Sequence, residues 1–120
     1  MAKDDYHVIV YQILCYLYNV LKKGEALHAD SLRHEGDFFK IPESYWLYIM
    51  VNLLGEGYVS GITVSEKMNT MGEKVLSIQN LDQIQITPKG IEYLTDNTFM
   101  KKALRFVNEA KSLIPFDLFS

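Results

Sequence analysis

His28, Asp30 and His34 stand close enough along the chain to suggest a metal site. A His-x-Asp with a second histidine can hold an ion when the loop around it folds suitably. Structural zinc sites, however, usually draw on paired cysteines at fixed spacing. This chain has one cysteine, so solvated histidines are the expectation, and no metal or other cofactor. Cys15 lies in an apolar stretch, where a thiol stays protonated and inert. Ser31 has histidines near it in sequence, but no strained turn to present it and no oriented base. Gly55-x-Gly57 and Gly61 are too scattered to cradle a phosphate, and read as a helix stop and a strand kink. Glu43, Glu56, Glu66 and Glu73 have no placed partner for acid–base work. The chain is therefore expected not to be an enzyme.

Bulk composition narrows the remaining classes. At 120 residues, 48% hydrophobic and 22% charged, the chain matches an ordinary globular domain spanning 1–120, with no disorder signature. Net charge is −3 and the pI about 5.5. Residues 1–60 hold five Lys/Arg against eight Asp/Glu, and residues 61–120 hold seven of each. Such a balance makes no field strong enough to draw in a phosphate backbone unaided, and is too weak for a DNA-mimicking acidic surface. The lone cysteine fits a reducing, cytoplasmic setting. The apolar run Tyr6 to Leu21 lacks a cleavage site, carries His7, Gln12 and Asn19, and falls short of the ~20 apolar residues a bilayer span needs. No membrane association is expected.

The elements follow from periodicity and punctuation. A long first helix is expected from about Asp4 to Lys23, with Asp4 and Asp5 at the positive end of its dipole and Gly24 as the stop. Ile9, Ile13, Tyr16, Leu17 and Val20 form one stripe, and Val8, Tyr11, Cys15 and Tyr18 a second round the side. A short helix is expected near Ala29 to His34, with Phe38 and Phe39 packing inward. The next helix begins near Pro42, and Trp46, Ile49, Met50, Leu53 and Leu54 mark its core side. A strand Tyr58 to Val64, a polar tip Lys67 to Lys74 and a return strand Val75 to Gln79 make a hairpin. Ile84 and Ile86 then alternate with Gln85 as a half-buried strand. Thr87 can cap the following helix, Pro88 to about Asp96, and Pro88 suits its first position. A final helix, Phe99 to Ile114, and an apolar tail, Phe116 to Phe119, are expected to pack on the domain.

Helix, strand, strand, helix in that order is the second half of a winged helix. The expected fold is thus α+β: a winged helix with a long N-terminal helix, a β-hairpin wing and an added C-terminal helix. Such folds often read DNA with the outer side of the helix before the wing. Between Pro42 and Gly57 there is no Lys or Arg. Asn52 could meet an adenine edge, but phosphate contacts would have to come from Arg33, Lys40, Lys67 and Lys74. Acidic neighbours offset that field. Lys101, Lys102, Arg105 and Lys111 make a modest basic strip on the last helix, read as a solvated face. Protein contact asks less, because Tyr buries much area with few rotatable bonds. Tyr45, Leu47, Tyr48, Asn52, Tyr11 and Tyr18 are the candidates for such a surface, serving a homodimer or another protein partner.

The chain also resembles the YjcQ-like family, small proteins of Gram-positive bacteria and their prophages. The resemblance rests on Tyr45-Trp46-Leu47-Tyr48-Ile49-Met50 and on Leu54-Gly55-Glu56-Gly57-Tyr58-Val59-Ser60-Gly61-Ile62. It continues through Ile86-Thr87-Pro88-Lys89-Gly90-Ile91-Glu92-Tyr93-Leu94 and Met100-Lys101-Lys102-Ala103. It implies a winged-helix fold with a role in phage or bacterial regulation, and it transfers no catalytic residues. The expected function is a non-enzymatic binding module acting through protein contacts or self-association; the alternative is a DNA-binding regulator.

Overall fold

In the computed structural model, which describes residues 5–97, the first helix α1 covers Tyr6–Lys23. Val8, Ile9, Tyr11, Ile13, Leu14, Cys15 and Leu17 are all buried. At 100° per residue these positions go right round the helix, so both apolar stripes are interior as far as Leu17, with Tyr16, Tyr18 and Val20 half-buried, and α1 is the axis of the core. No helix among the described residues is long and apolar enough to cross a membrane.

The connection after α1 holds a single 3-10 turn, Ala29–Leu32, shorter than the helix expected as far as His34. Leu32 is fully buried and Phe39 nearly so, while Phe38 packs on the Tyr16 ring at 4.8 Å between centroids. The segment is thus held by its apolar side chains together with turn hydrogen bonds and the bond from Ile41 N–H to the His34 carbonyl at 2.9 Å.

Helix α2, Glu43–Gly55, starts just after Pro42. Trp46, Ile49, Met50 and Leu53 are buried on one side of it. The indole Nε1 of Trp46 donates to the Leu32 carbonyl at 2.7 Å, so the one polar atom of a 4% exposed side chain has its partner.

The expected strand from Tyr58 to Val64 is divided. Strand β1 is Val59–Ser60 and β2 is Thr63–Met68, with Gly61 and Ile62 between them. Gly61 sits at φ +92°, and a Cβ there would run into the Gln83 carbonyl. Backbone therefore crosses backbone at the point where the chain changes sheet. β2 pairs antiparallel with β3, Lys74–Gln79, from Thr63↔Gln79 to Met68↔Lys74. β1 pairs instead with β4, Gln85–Ile86. The result, among the described residues, is two separate two-stranded sheets.

Helix α3, Pro88–Asp96, begins as the Thr-Pro dipeptide demands. Thr87 Oγ1 accepts from Gly90 N–H at 3.1 Å, and the same hydroxyl donates to the Gly57 carbonyl. Thr87 N–H donates to the Tyr58 carbonyl at 3.0 Å. A Cβ on Gly90 would clash with that carbonyl and with Ile86 Cγ1. One residue thus caps α3 and ties it to the turn after α2. The architecture is α+β: helices around small antiparallel sheets. The expected helix Phe99 to Ile114, its basic strip and the tail Phe116 to Phe119 lie outside the described residues.

Two substitutions test this packing by urea denaturation. Trp46→Ala should cost about 3–5 kcal/mol, and Trp46→Phe about 1–3 kcal/mol through the Leu32 carbonyl left unpaired. Gly90→Ala should cost about 1–3 kcal/mol, since α3 must back away from β1. A change below about 0.5 kcal/mol at either site would contradict the geometry given.

Candidate protein-interaction surface

The catalytic and metal candidates separate in space. Asp30 pairs with Arg33 at 3.5 Å. His34 Nε2 faces a Glu43 carboxylate oxygen at 3.5 Å and lies beside the Trp46 ring. Ser31 Oγ donates to Asp37 at 3.0 Å, not to a histidine. No set of three or more His, Cys, Asp or Glu among the described residues is arranged to hold a metal. Cys15 is fully buried, and desolvation pushes its thiol pKa well above the ordinary value, so the thiolate nucleophile is suppressed.

The candidate phosphate contacts do not converge. Arg33 is engaged by Asp30. Lys40 lies exposed in the loop before α2. In the hairpin register Lys67 sits opposite Val75 and Lys74 opposite Met68. Residues directly opposite share a face and successive residues alternate, so Lys67 and Lys74 belong to different faces of the hairpin. Thr63, Ser65, Ser77 and Gln79 accompany Lys67, with Ser65 and Ser77 hydroxyls 2.8 Å apart. Glu66 and Leu76 accompany Lys74.

The tyrosines, by contrast, do gather. Tyr45, Tyr48 and Asn52 lie on the side of α2 opposite Trp46, and Tyr48 is 61% exposed. Tyr6, at the start of α1, meets the Tyr48 ring edge-on at 5.9 Å. The phenol of Tyr6 has its pKa raised, chiefly by burial and then by Tyr48, Glu56, Tyr58 and Tyr45 around it. Tyr58 continues the patch: its ring lies 5.0 Å from that of Tyr93 on α3, whose pKa is raised by burial, then by Tyr58 and Tyr6. The Lys89 ammonium sits 5.6 Å from the Tyr58 ring centroid, close enough for a cation–π contact. Five tyrosines from three helices and one turn thus form one surface, bordered by Glu56 and Lys89.

Not every expected residue joins it. Tyr11 is fully buried, a correction to its expected place on the surface. Its stripe on α1 is enclosed, and burial drives its phenol pKa up strongly. Tyr18 is half-buried, with the Lys22 ammonium 5.0 Å from its ring centroid, and stands about 18 Å along α1 from Tyr6 at 1.5 Å per residue. Leu47 is half-buried, at the border as its helical angle requires. Asn52 Nδ2 donates to the Tyr48 carbonyl at 2.7 Å, so its amide is turned onto its own helix. Tyr6, Tyr58 and Tyr93 complete the patch and were not among the expected residues. Residues this far apart in sequence leave no periodic signal; the only hint was the count of eight tyrosines.

A family model described as YjcQ protein matches residues 11–113. The chain belongs to the YjcQ family. Within this YjcQ protein, the match takes in Tyr45, Tyr48, Tyr58 and Tyr93 but starts beyond Tyr6. Curated proteins give no match. A crystal structure from Thermoplasma acidophilum, described as a "putative transcriptional regulator", is similar with a TM-score of 0.41 and 17% identity. The alignment covers 92% of the YjcQ chain and 96% of the other. A likeness of that size says nothing about what the YjcQ chain binds.

The tyrosine environment carries a pH consequence. Tyr6, Tyr11 and Tyr93 all have folded pKa values above the ordinary 10.0. The folded chain holds these protons more tightly than the unfolded one, so their contribution is full below about pH 10 and is lost as pH rises through the folded values. Tyrosinate absorbance in an alkaline titration should keep rising above the ordinary tyrosine range, and that late rise should coincide with loss of helical circular dichroism. A rise complete at the ordinary pKa, with the fold intact, would contradict the environments of Tyr6, Tyr11 and Tyr93.

Proposed function

We propose that this YjcQ protein is a non-enzymatic, cytosolic binding module of winged-helix type, acting through protein–protein contact or self-association at its tyrosine surface. The observation that carries the reading is the exposed Tyr48, held against Tyr6 on a helix flank with no cation from Glu43 to Gly55. Aromatic rings preset by their neighbours lose little freedom on contact with a partner. The Glu56 carboxylate, beside Tyr6, would oppose a phosphate backbone along the same flank.

The winged-helix reading is supported by the order of α2, the hairpin β2–β3 and the strand β4 running into α3. That same order favours the second reading, a DNA-binding regulator of phage or bacterial origin using Arg33, Lys40, Lys67 and Lys74. The opposite hairpin faces of Lys67 and Lys74 and the Asp30 partner of Arg33 weigh against it.

Fluorescence anisotropy with random duplex DNA distinguishes the two. Four phosphate contacts would give a log–log salt slope of about −3.6. The expected result is no binding at about 50 mM salt with micromolar protein, since sequence-specific binders keep nonspecific affinity under such conditions. Light scattering and affinity capture should show a dimer or a partner complex that weakens at least about tenfold in Tyr48→Ala, with thermal stability unchanged. Salt-sensitive duplex binding that Tyr48→Ala leaves intact would replace this reading with the second.

A further inference from the structure

The small sheet of β1 and β4 has an open side. Thr87 N–H donates to the Tyr58 carbonyl, and Val59 faces Ile86 in the antiparallel register. The hydrogen-bonded pairs are therefore 58/87 and 60/85, and Ile86 belongs to a non-hydrogen-bonded pair. Its N–H turns away from β1, and by the same alternation so does the Ile84 carbonyl. These two groups are what one residue of an added parallel strand would engage. Among the described residues no third strand lies beside β4.

A cavity of about 390 Å³ lies along β4. It is lined by β4 and the turn before it, by the end of α1 and by the segment after α1, while β1 contributes nothing to its walls. Of its lining residues, Leu17 and Ile84 are buried, Leu21 is 56% exposed, and the carboxylates Glu25 and Asp82 are exposed. The walls thus grade from apolar inside to acidic outside. Among the described residues, no Lys, Arg or His lines it.

We propose that β4 takes up a short extended segment of a partner protein as an added strand, the segment alternating apolar and basic residues. The open N–H and carbonyl provide main-chain pairing, and the period-2 alternation of a strand sends one side chain to Leu17 and Leu21 and the next outward to Glu25 and Asp82. Charge complementarity selects this occupant over an acidic one. The site lies at the far end of α1 from Tyr6 and Tyr48, on the side of β4 turned away from Tyr58.

The test uses the full isotope-labelled chain and a fluorescein-labelled Lys-Val-Lys-Leu-Lys peptide. Controls are the matched Glu-Val-Glu-Leu-Glu peptide and the basic peptide N-methylated on alternate amides. Expected is saturable binding of the basic peptide, with amide resonance shifts at 84–86 and 24–27. The acidic peptide should bind at least about tenfold more weakly, and N-methylation should abolish binding. The double variant Glu25→Lys/Asp82→Lys, altered only at exposed positions, should reverse the charge preference, whereas Tyr48→Ala should leave it unchanged. Equal binding of both charges, retained binding after N-methylation, shifts elsewhere, or no binding up to about 1 mM would overturn the proposal. So would an Ile86 amide already protected from exchange in the free chain: protection independent of concentration would mean the chain fills the site itself, and protection that grows with concentration a second copy.

Discussion

The hydrogen bond from the Trp46 indole to the Leu32 carbonyl decides which way α2 faces. Helix α2 is apolar on more than one side: Leu47, Val51 and Leu54 are only half-buried, so hydrophobicity alone leaves its rotation loosely defined. A buried donor admits far fewer orientations, because turning the helix would strand the indole N–H without a partner. With Trp46 inside, Tyr48 and Asn52 must be outside. The short 3-10 turn that supplies the Leu32 carbonyl therefore governs the surface on the far side of α2, although it touches none of that surface.

A second constraint joins the two ends of the fold. Thr87 serves α3 as a cap and β1 as a pairing partner, and its hydroxyl also reaches the Gly57 carbonyl. Gly90 lets α3 approach Tyr58 without a side chain in the way. The closeness of the Tyr58 and Tyr93 rings follows, since one precedes β1 and the other lies on α3. The backbone junction and the aromatic patch are consequences of the same tight approach. Lys89, one residue before Gly90, is brought to the patch by it and gives that border a cation.

Much of this was legible from residue order. Trp46, Ile49, Met50 and Leu53 identified the inner side of α2 by spacing, and Thr87-Pro88 located the start of α3 almost to the residue. The divided strand was less legible. Gly61 suggested a kink, but the partner that makes the kink necessary, the Gln83 carbonyl, is more than twenty positions away. Tyr11 failed for a related reason: a helix apolar on all sides carries no internal mark of which stripe is exposed, and α1 is simply enclosed. The tyrosine surface was half visible, through Tyr45 and Tyr48. The rest depends on tertiary contacts among Tyr6, Tyr58 and Tyr93, which no local pattern encodes.

The break at Gly61 gives the hairpin a mechanical character of its own. Because β2–β3 shares no ladder with β1–β4, its tilt is governed by two narrow necks, Gly61-Ile62 on one strand and the left-handed Asn80 on the other. Val64 and Ile78, paired at its base and half-buried, are its main footing. Farther out, Met68, Met71 and Leu76 stand in solvent. Because β3 also packs on α2, whatever docks on that outer end presses through Ile78 toward the helix that carries Tyr48, on its other side.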